Sequence, residues 1–445
     1  MSPPRAVAFL LLAGVVALVV GLTPTARPAL AVHLCDNWPG AFDIDAYEAQ
    51  ASGSLGWKNV YARSMEFAAF NQLVPDIPSF RLPQMETGPR SDGSSNLVDP
   101  YIPPVILKAI GWIESGTAKG WTQACPSVPH GSVGPVLVSH DFGYGIMQIT
   151  SGMGGGTTAV PSLDQVMIGG HYGFNIARGA QILLDKWNAA PELRPIVGSR
   201  LTDRVESWYY AVWNYNGFAF KNHPLNPVYD PLRAPYRCDG TQSRANYPYQ
   251  ELVFGCIKSP PVVGGVRLWN PVTASLPDLN DPAFSGPLSL ANWDACASNF
   301  DCAAMDIPIP TPTHIDVTTV SGSRSQAIGA PNLSVATSFA VNTFPGELSD
   351  PVTVTIRNTG TGPLVWRLSR SVTWIKLSPT QGVALGTDIG SQPSTFTFFV
   401  DARNLAIGTH SGQIRVESRM PNVSKIITVN VVVGHRSVVP GVSRN

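Results

Sequence analysis

The chain has 445 residues, 30 Lys plus Arg against 30 Asp plus Glu, only 13% charged residues, and 41 Gly with 40 Pro. This balance excludes a coiled coil, a charged disordered tail and a basic protein that tracks nucleic-acid phosphates, and the length asks for more than one ordinary core. The zero net charge is a sum of unlike parts: +2 over residues 1–31, −7 over 32–330 and +5 over 331–445.

Arg5 precedes an uncharged run from Ala6 to Leu22, followed by Pro24, Pro28 and the small-residue pattern Ala29-Leu30-Ala31. That layout reads as a secretory signal peptide cleaved after Ala31, with an uncleaved anchor as the alternative. No later segment is long and apolar enough to span a bilayer, so the mature chain is expected outside the cytoplasm with no membrane span. Six cysteines follow: Cys35, Cys125, Cys238, Cys256, Cys296 and Cys302. An even count in an exported chain suggests disulfides. Proximity favours Cys238 with Cys256 and Cys296 with Cys302, which leaves Cys35 for Cys125, among about 15 connectivities that six cysteines allow. No CxxC or HExxH occurs, so neither metal nor cofactor is expected.

The spacing predicts a helix around Trp57 to Leu73. Three more are expected between 101 and 258: one opened by Pro103-Pro104 with Ile106, Ala109, Ile110 and Ile113 in register, one from Phe174 to Trp187, and one from Thr202 to Trp213 with Asp203 and Glu206 as a capping box. Residues 259–330 hold no sustained period and many prolines, which suggests a linker or extension. From Leu333 the period becomes two, in PVTVTIRN, LVWRLS, TFTFFVDA, SGQIRVES and KIITVNVVV, the pattern of an antiparallel sandwich.

Glu114 closes an apolar helix just before Ser115-Gly116. A carboxyl group there meets the negative end of the helix dipole and partial desolvation, and both favour its neutral form. Such an acid suits glycosidic cleavage, whereas a solvated last-turn Glu is the plainer alternative. Gly143-Tyr144-Gly145-Ile146-Met147-Gln148-Ile149 joins flexible backbone to a polar Gln inside an apolar run. Asn175-Ile176-Ala177-Arg178-Gly179-Ala180-Gln181 opens the second helix, and Ala211-Val212-Trp213-Asn214-Tyr215-Asn216-Gly217 ends the third.

In this order the four segments, over roughly Ile102 to Phe218, resemble the soluble lytic transglycosylase domain of the goose-type lysozyme superfamily. Two departures stand out: Asn216 runs directly into Gly217, and the insertion from Thr117 to His140 is long. The resemblance implies Glu114 as the catalytic acid/base and Ser115, Gly145, Met147, Gln148, Tyr215 and Asn216 as groove residues contacting peptidoglycan glycan strands. It implies a lyase with a 1,6-anhydromuramyl product. A second carboxylate at Asp141 or Asp164 would instead give a hydrolase, and loss of turnover would leave a glycan-binding or adhesion protein. Trp374 to Gly382, Val400 to His410, Ser411 to Ile414 and Asn358-Thr359-Gly360 resemble a BACON-type immunoglobulin-like module, which implies either wall or glycan contact or a passive spacer.

The expected fold is therefore multidomain: a mainly α, lysozyme-like (α+β) catalytic domain followed by an all-β immunoglobulin-like sandwich. The expected division is signal peptide 1–31, N-terminal extension 32–100, catalytic domain 101–258, Pro-rich linker 259–330, sandwich 331–435 and tail 436–445.

Overall fold

The computed structural model describes residue 35 and residues 40–49, 56–87, 96–154, 160–188, 196–197, 201–217, 220–280, 306–307 and 327–435. Two compact units divide the chain, Met1–Ala31 and Val32–Asn445. The expected signal peptide and its cleavage after Ala31, the pair Cys296 and Cys302, and the tail lie outside the described residues.

In chain order the second unit runs β1 (Asp45–Tyr47), α1 (Gly56–Ala69), β2 (Met85–Thr87), β3 (Asn96–Val98), α2 (Pro104–Ser115), β4 (Val133–Pro135), α3 (Leu163–Gly170), α4 (Tyr172–Asn188), β5 (Ile196–Val197), α5 (Tyr209–Tyr215), α6 (Tyr249–Lys258), β6 (Val262–Val263), β7 (Val266–Arg267) and β8 (Asp306–Ile307). The sandwich follows with β9 (Leu333–Ser334), β10 (Ser338–Thr343), β11 (Val352–Asn358), β12 (Pro363–Arg370), β13 (Ile375–Ser378), β14 (Gln381–Leu385), β15 (Ser394–Val400), β16 (Gly408–Arg419) and β17 (Asn422–Val433). One sheet has the order β10-β17-β16-β12-β14 and the other β13-β15-β11-β9. Their inward residues, among them Trp366, Phe396, Phe398, Ile414 and Val429, form one core. β16 and β17 form a 12-residue antiparallel ladder, and β10 joins β17 in parallel.

The expected mainly α, lysozyme-like fold class is corrected by this architecture. Among the described residues strands and bridges take 28% and helical turns of all kinds 25%, and the α-helices there span only 7 to 17 residues. The reason is local: β16 and β17 sustain period two over 12 residues each, whereas turns and isolated bridges fill most of the stretch between α2 and α3.

Two helix ends also differ from expectation. Asp203 and Glu206 do not form a capping box: a 3-10 turn, Val205–Trp208, precedes α5, and Glu206 Oε1 accepts from Ser275 N at 3.0 Å. The capping box lies instead at α3, where Ser162 Oγ accepts from Gln165 N at 3.2 Å and Gln165 Oε1 accepts from Ser162 N at 2.7 Å. Disulfides join Cys238 to Cys256, the pairing that proximity favours, and Cys35 to Cys125, the pairing left over; both fall on described residues. No described helix is long and apolar enough to cross a membrane. The two bridges are consistent with a protein that reaches an oxidising compartment.

The helical region and the sandwich share a core. Val365, Val383 and Leu385, from β12 and β14, belong to the same buried cluster as Ile44, Ile168 and Tyr172. Two glycines at the end of α3 permit this approach. A Cβ on Gly169 would lie 2.9 Å from the Ile44 side chain, and one on Gly170 would lie 3.1 Å from Val365 Cγ1. Around the seam Arg367 Nε donates to Pro161 O at 2.7 Å, and Arg419 pairs with Asp164 at 3.3 Å. Such half-exposed polar contacts contribute little beside the apolar burial.

Val365→Ala tests this seam. Loss of two buried methyl groups should cost about 2 kcal/mol. Helix and strand signals in circular dichroism should lose structure together at a lower temperature, whereas two separated transitions would contradict a shared core.

Candidate active site

α2 forms because Pro104 occupies the first turn, where a missing N–H costs nothing, and because Val105, Ile106, Ala109 and Ile110 recur on its buried side. Its C-terminus is closed by groups from three segments. Ser115 Oγ donates to Gly111 O at 2.9 Å, Gly116 N to Trp112 O at 2.8 Å, Arg244 Nη1 to Ile113 O at 3.0 Å and Thr122 Oγ1 to Ser115 O at 3.2 Å. The carbonyls of Trp112, Ile113 and Ser115, which the helix itself would leave orphaned, are thereby satisfied, and a cation sits at the negative end of the helix dipole.

Glu114 stands in the middle of this closure and keeps partial solvent exposure. Tyr249, the first residue of α6, donates its hydroxyl to Glu114 Oε1 at 2.5 Å. Burial pushes the Glu114 carboxyl up to about 7 against that hydrogen bond, which favours the ionised form. The charge of Asp141 adds to the rise, and Arg244 and Lys221 oppose it. Burial and the neighbouring Glu114 charge hold the Tyr215 hydroxyl well above the usual phenol range.

The segment 144–148 is positioned by two buried amides. Gln123 Oε1 accepts from Ile146 N at 3.0 Å, and Asn175 Oδ1 accepts from Met147 N at 2.8 Å. Asn175 Nδ2 donates to Tyr144 O at 2.6 Å and to Ile168 O at 3.0 Å. Gly145 has φ 70°, and a Cβ there would come within 2.5 Å of both amide groups. Gly145 is thus required by close packing of the clamp.

The other expected site residues fall in distinct places. The Met147 side chain is fully buried, and a Cβ on Gly179 of α4 would meet it at 2.8 Å. Its carbonyl accepts from Tyr215 Oη at 2.9 Å. Ser115 is buried and bonded within its own helix. Gln148, at φ 46°, turns its amide back to Gly145 O at 2.8 Å. A non-glycine residue in that region costs of order 1 kcal/mol or more, and such strain clusters at functional loops. Asn216 Oδ1 accepts from Asn222 Nδ2 at 3.0 Å, and Asn222 Oδ1 accepts from Tyr249 N at 3.3 Å. Tyr215 and Asn216 therefore meet Glu114 through its surroundings. Asp164 is engaged with Arg419 at the sandwich seam, whereas exposed Asp141 acts on Glu114.

Tyr249, Arg244 and Asn222 are absent from the sequence-derived site, and α6 is absent from the predicted helices. Tyr249 lies 135 positions from Glu114. The available signal was the cysteine pair, since Cys238 and Cys256 bracket both Arg244 and Tyr249. No cluster of metal-ligating side chains occurs among the described residues.

No described protein family and no curated protein matches the chain. Several solved structures are similar to parts of it. The PapD-like domain 7 of human CEP192 is 13% identical, with 24% of this chain and 87% of that one covered and a TM-score of 0.20. A protein of unknown function from Porphyromonas gingivalis W83 is 16% identical, with 23% and 47% covered and a TM-score of 0.21. A family 123 glycoside hydrolase from Clostridium perfringens is 14% identical, with 22% and 23% covered and a TM-score of 0.19. The chain thus spans under half of the second and under a quarter of the third. Likenesses this weak assign no function.

The Glu114 carboxyl gives a stability prediction. It is neutral in folded and unfolded chains at pH well below 4.5, but above about 7 the native state must hold a charge that the unfolded chain solvates freely. Native stability therefore falls across that window. In urea titrations near pH 8, Glu114→Gln should be more stable than the parent by roughly 2–3 kcal/mol, and near pH 4 the two should coincide. An equal difference at both pH values would contradict a buried, protonated acid.

Proposed function

We propose that the chain is an exported glycan-cleaving enzyme acting on peptidoglycan, a lytic transglycosylase in which Glu114 is the single general acid/base. The observation that carries this reading is a carboxyl group pushed up to about 7 while a phenol donates to it. The substrate class follows the motif order in the sequence and rests on the site rather than on fold. Export through a signal peptide removed after Ala31 and residence at the cell wall belong to the same proposal.

In this mechanism protonated Glu114 gives its proton to the oxygen linking N-acetylmuramic acid to N-acetylglucosamine. The C1–O bond breaks and positive charge develops at the muramyl C1, supported by the substrate's N-acetyl group. The muramyl O6 then bonds to C1, and its proton passes to the Glu114 carboxylate, which restores the acid. Tyr249 stabilises the carboxylate between these steps, and Arg244 and Lys221 favour the same ionised state electrostatically. A hydrolase reading has one observation in its favour: Asp141 lies close enough to act on Glu114 and could orient a water. A glycan-binding protein without turnover is the remaining reading.

Digestion of purified peptidoglycan, with mass spectrometry of the soluble products, separates the three. Anhydromuramyl ends are expected; reducing ends would mean hydrolysis, and binding without product would remove the enzyme. Glu114→Gln should abolish product release while retaining the native circular dichroism spectrum, and parental activity in that variant would overturn the role of Glu114. Tyr249→Phe removes a hydrogen bond that favours the ionised carboxyl, so the alkaline limb of the pH–rate profile should move to higher pH. Turnover should fall roughly 10-fold or more, the scale of a hydrogen bond to a charged group. A fall in rate with an unmoved alkaline limb would leave Tyr249 without that role.

A further inference from the structure

A cleft of about 390 Å³ lies between α1, α2 and the segment after β7, and Glu114 is not among its lining residues. Its volume falls in the range of small-ligand pockets. The floor is apolar, made by Val105, Leu268, Val272 and Trp269, each buried to nine-tenths or more, and Trp269 is stacked on Trp121 at 5.6 Å between ring centroids. The polar wall carries three cations, Lys58, Lys108 and Arg267, against one carboxylate, Glu66.

Those charges do not balance, since three cations face one carboxylate. Lys108 is 8% exposed and uses Glu66 as its partner at 2.7 Å. Lys58 donates to the carbonyl of Arg267 at 2.5 Å, so its ammonium has a dipole for company but no counter-charge in that bond. Burial and the Lys108 charge both hold the Lys58 ammonium below its usual range, as repulsion between like charges in a partly dry site requires.

We propose that this cleft is a second binding site, separate from the Glu114 centre, for a ligand that combines a carboxylate with an aliphatic body, such as an acidic peptide chain. The carboxylate answers the surplus of Lys58 and Arg267. The aliphatic body covers Val105, Leu268 and the indole face. Glu66 stands on the same wall and disfavours the denser charge of a phosphate. The site does not depend on the glycan reading, because no residue of the Glu114 centre takes part in it.

The test uses the full chain and three probes followed by Trp fluorescence and titration calorimetry: N-acetyl-glutamyl-alanine, the same dipeptide with both carboxylates converted to amides, and inorganic phosphate. The acid should bind at least 10-fold more tightly than the diamide and than phosphate. Lys58→Gln should weaken it several-fold, while peptidoglycan turnover is unchanged. Lys58→Gln changes a partly exposed side chain, so the fold is expected to be retained, with circular dichroism as the check. Equal binding of acid and diamide, tighter binding of phosphate, no binding of the acid to the folded parent, or parental affinity in Lys58→Gln would each overturn the proposal.

Discussion

Gln123 and Asn175 are fully buried amides whose hydrogen bonds hold the Tyr144–Gln148 segment against α3 and α4. A buried amide left half-satisfied would be expensive, and this pair supports its neighbours because each bond completes another. Gln123 N donates to buried Glu48, and its Nε2 donates to carbonyls of Ile168 and Gly169 at the end of α3. The same α3 end admits Ile44 and Val365. The clamp that presents the Met147 carbonyl to Tyr215 is therefore continuous with the seam that fuses the sandwich to the helices.

Around Glu114 the structure sets opposing influences on one proton. Burial favours the neutral acid, while Tyr249, Arg244 and Lys221 favour the carboxylate. A group held between such influences can release and regain a proton with little reorganisation, which general acid/base chemistry near neutral pH requires. The opposing groups come from the α5–α6 connection and the start of α6, and the Cys238–Cys256 bridge ties that connection to the helix. Loop-closure entropy gives such a staple roughly 3 kcal/mol on the chain-entropy account.

The sandwich is more than an appended module. Val365, Val383 and Leu385 complete the core of the helical part, and Trp366 is buried in the sandwich's own core. The described sandwich, residues 331–435, carries 8 Lys plus Arg against 5 Asp plus Glu, and this surplus is held on a body that packs directly on the helices, in fixed relation to α3.

Local physics was legible in the sequence. The starts of α2 and α4, the five longest alternating strands, two disulfides and the place of Glu114 at a helix end all follow from periodicity, proline position and cysteine spacing, which act over a few residues. The overall balance of strand and helix was not legible, nor was α6 or the partner of Glu114. The Asp203–Glu206 spacing matched a capping box, yet Glu206 took a backbone donor 69 positions away at Ser275, because a tertiary partner outcompeted the local one. Met147 and Gly145 were recognisable as a motif, but only packing decided that one fills the core and the other makes room for two amides. The sequence alone determined which side chains were available and where helices and strands could begin. Tertiary structure decided which groups share a dry space, and burial and proximity in that space set the charge of Glu114.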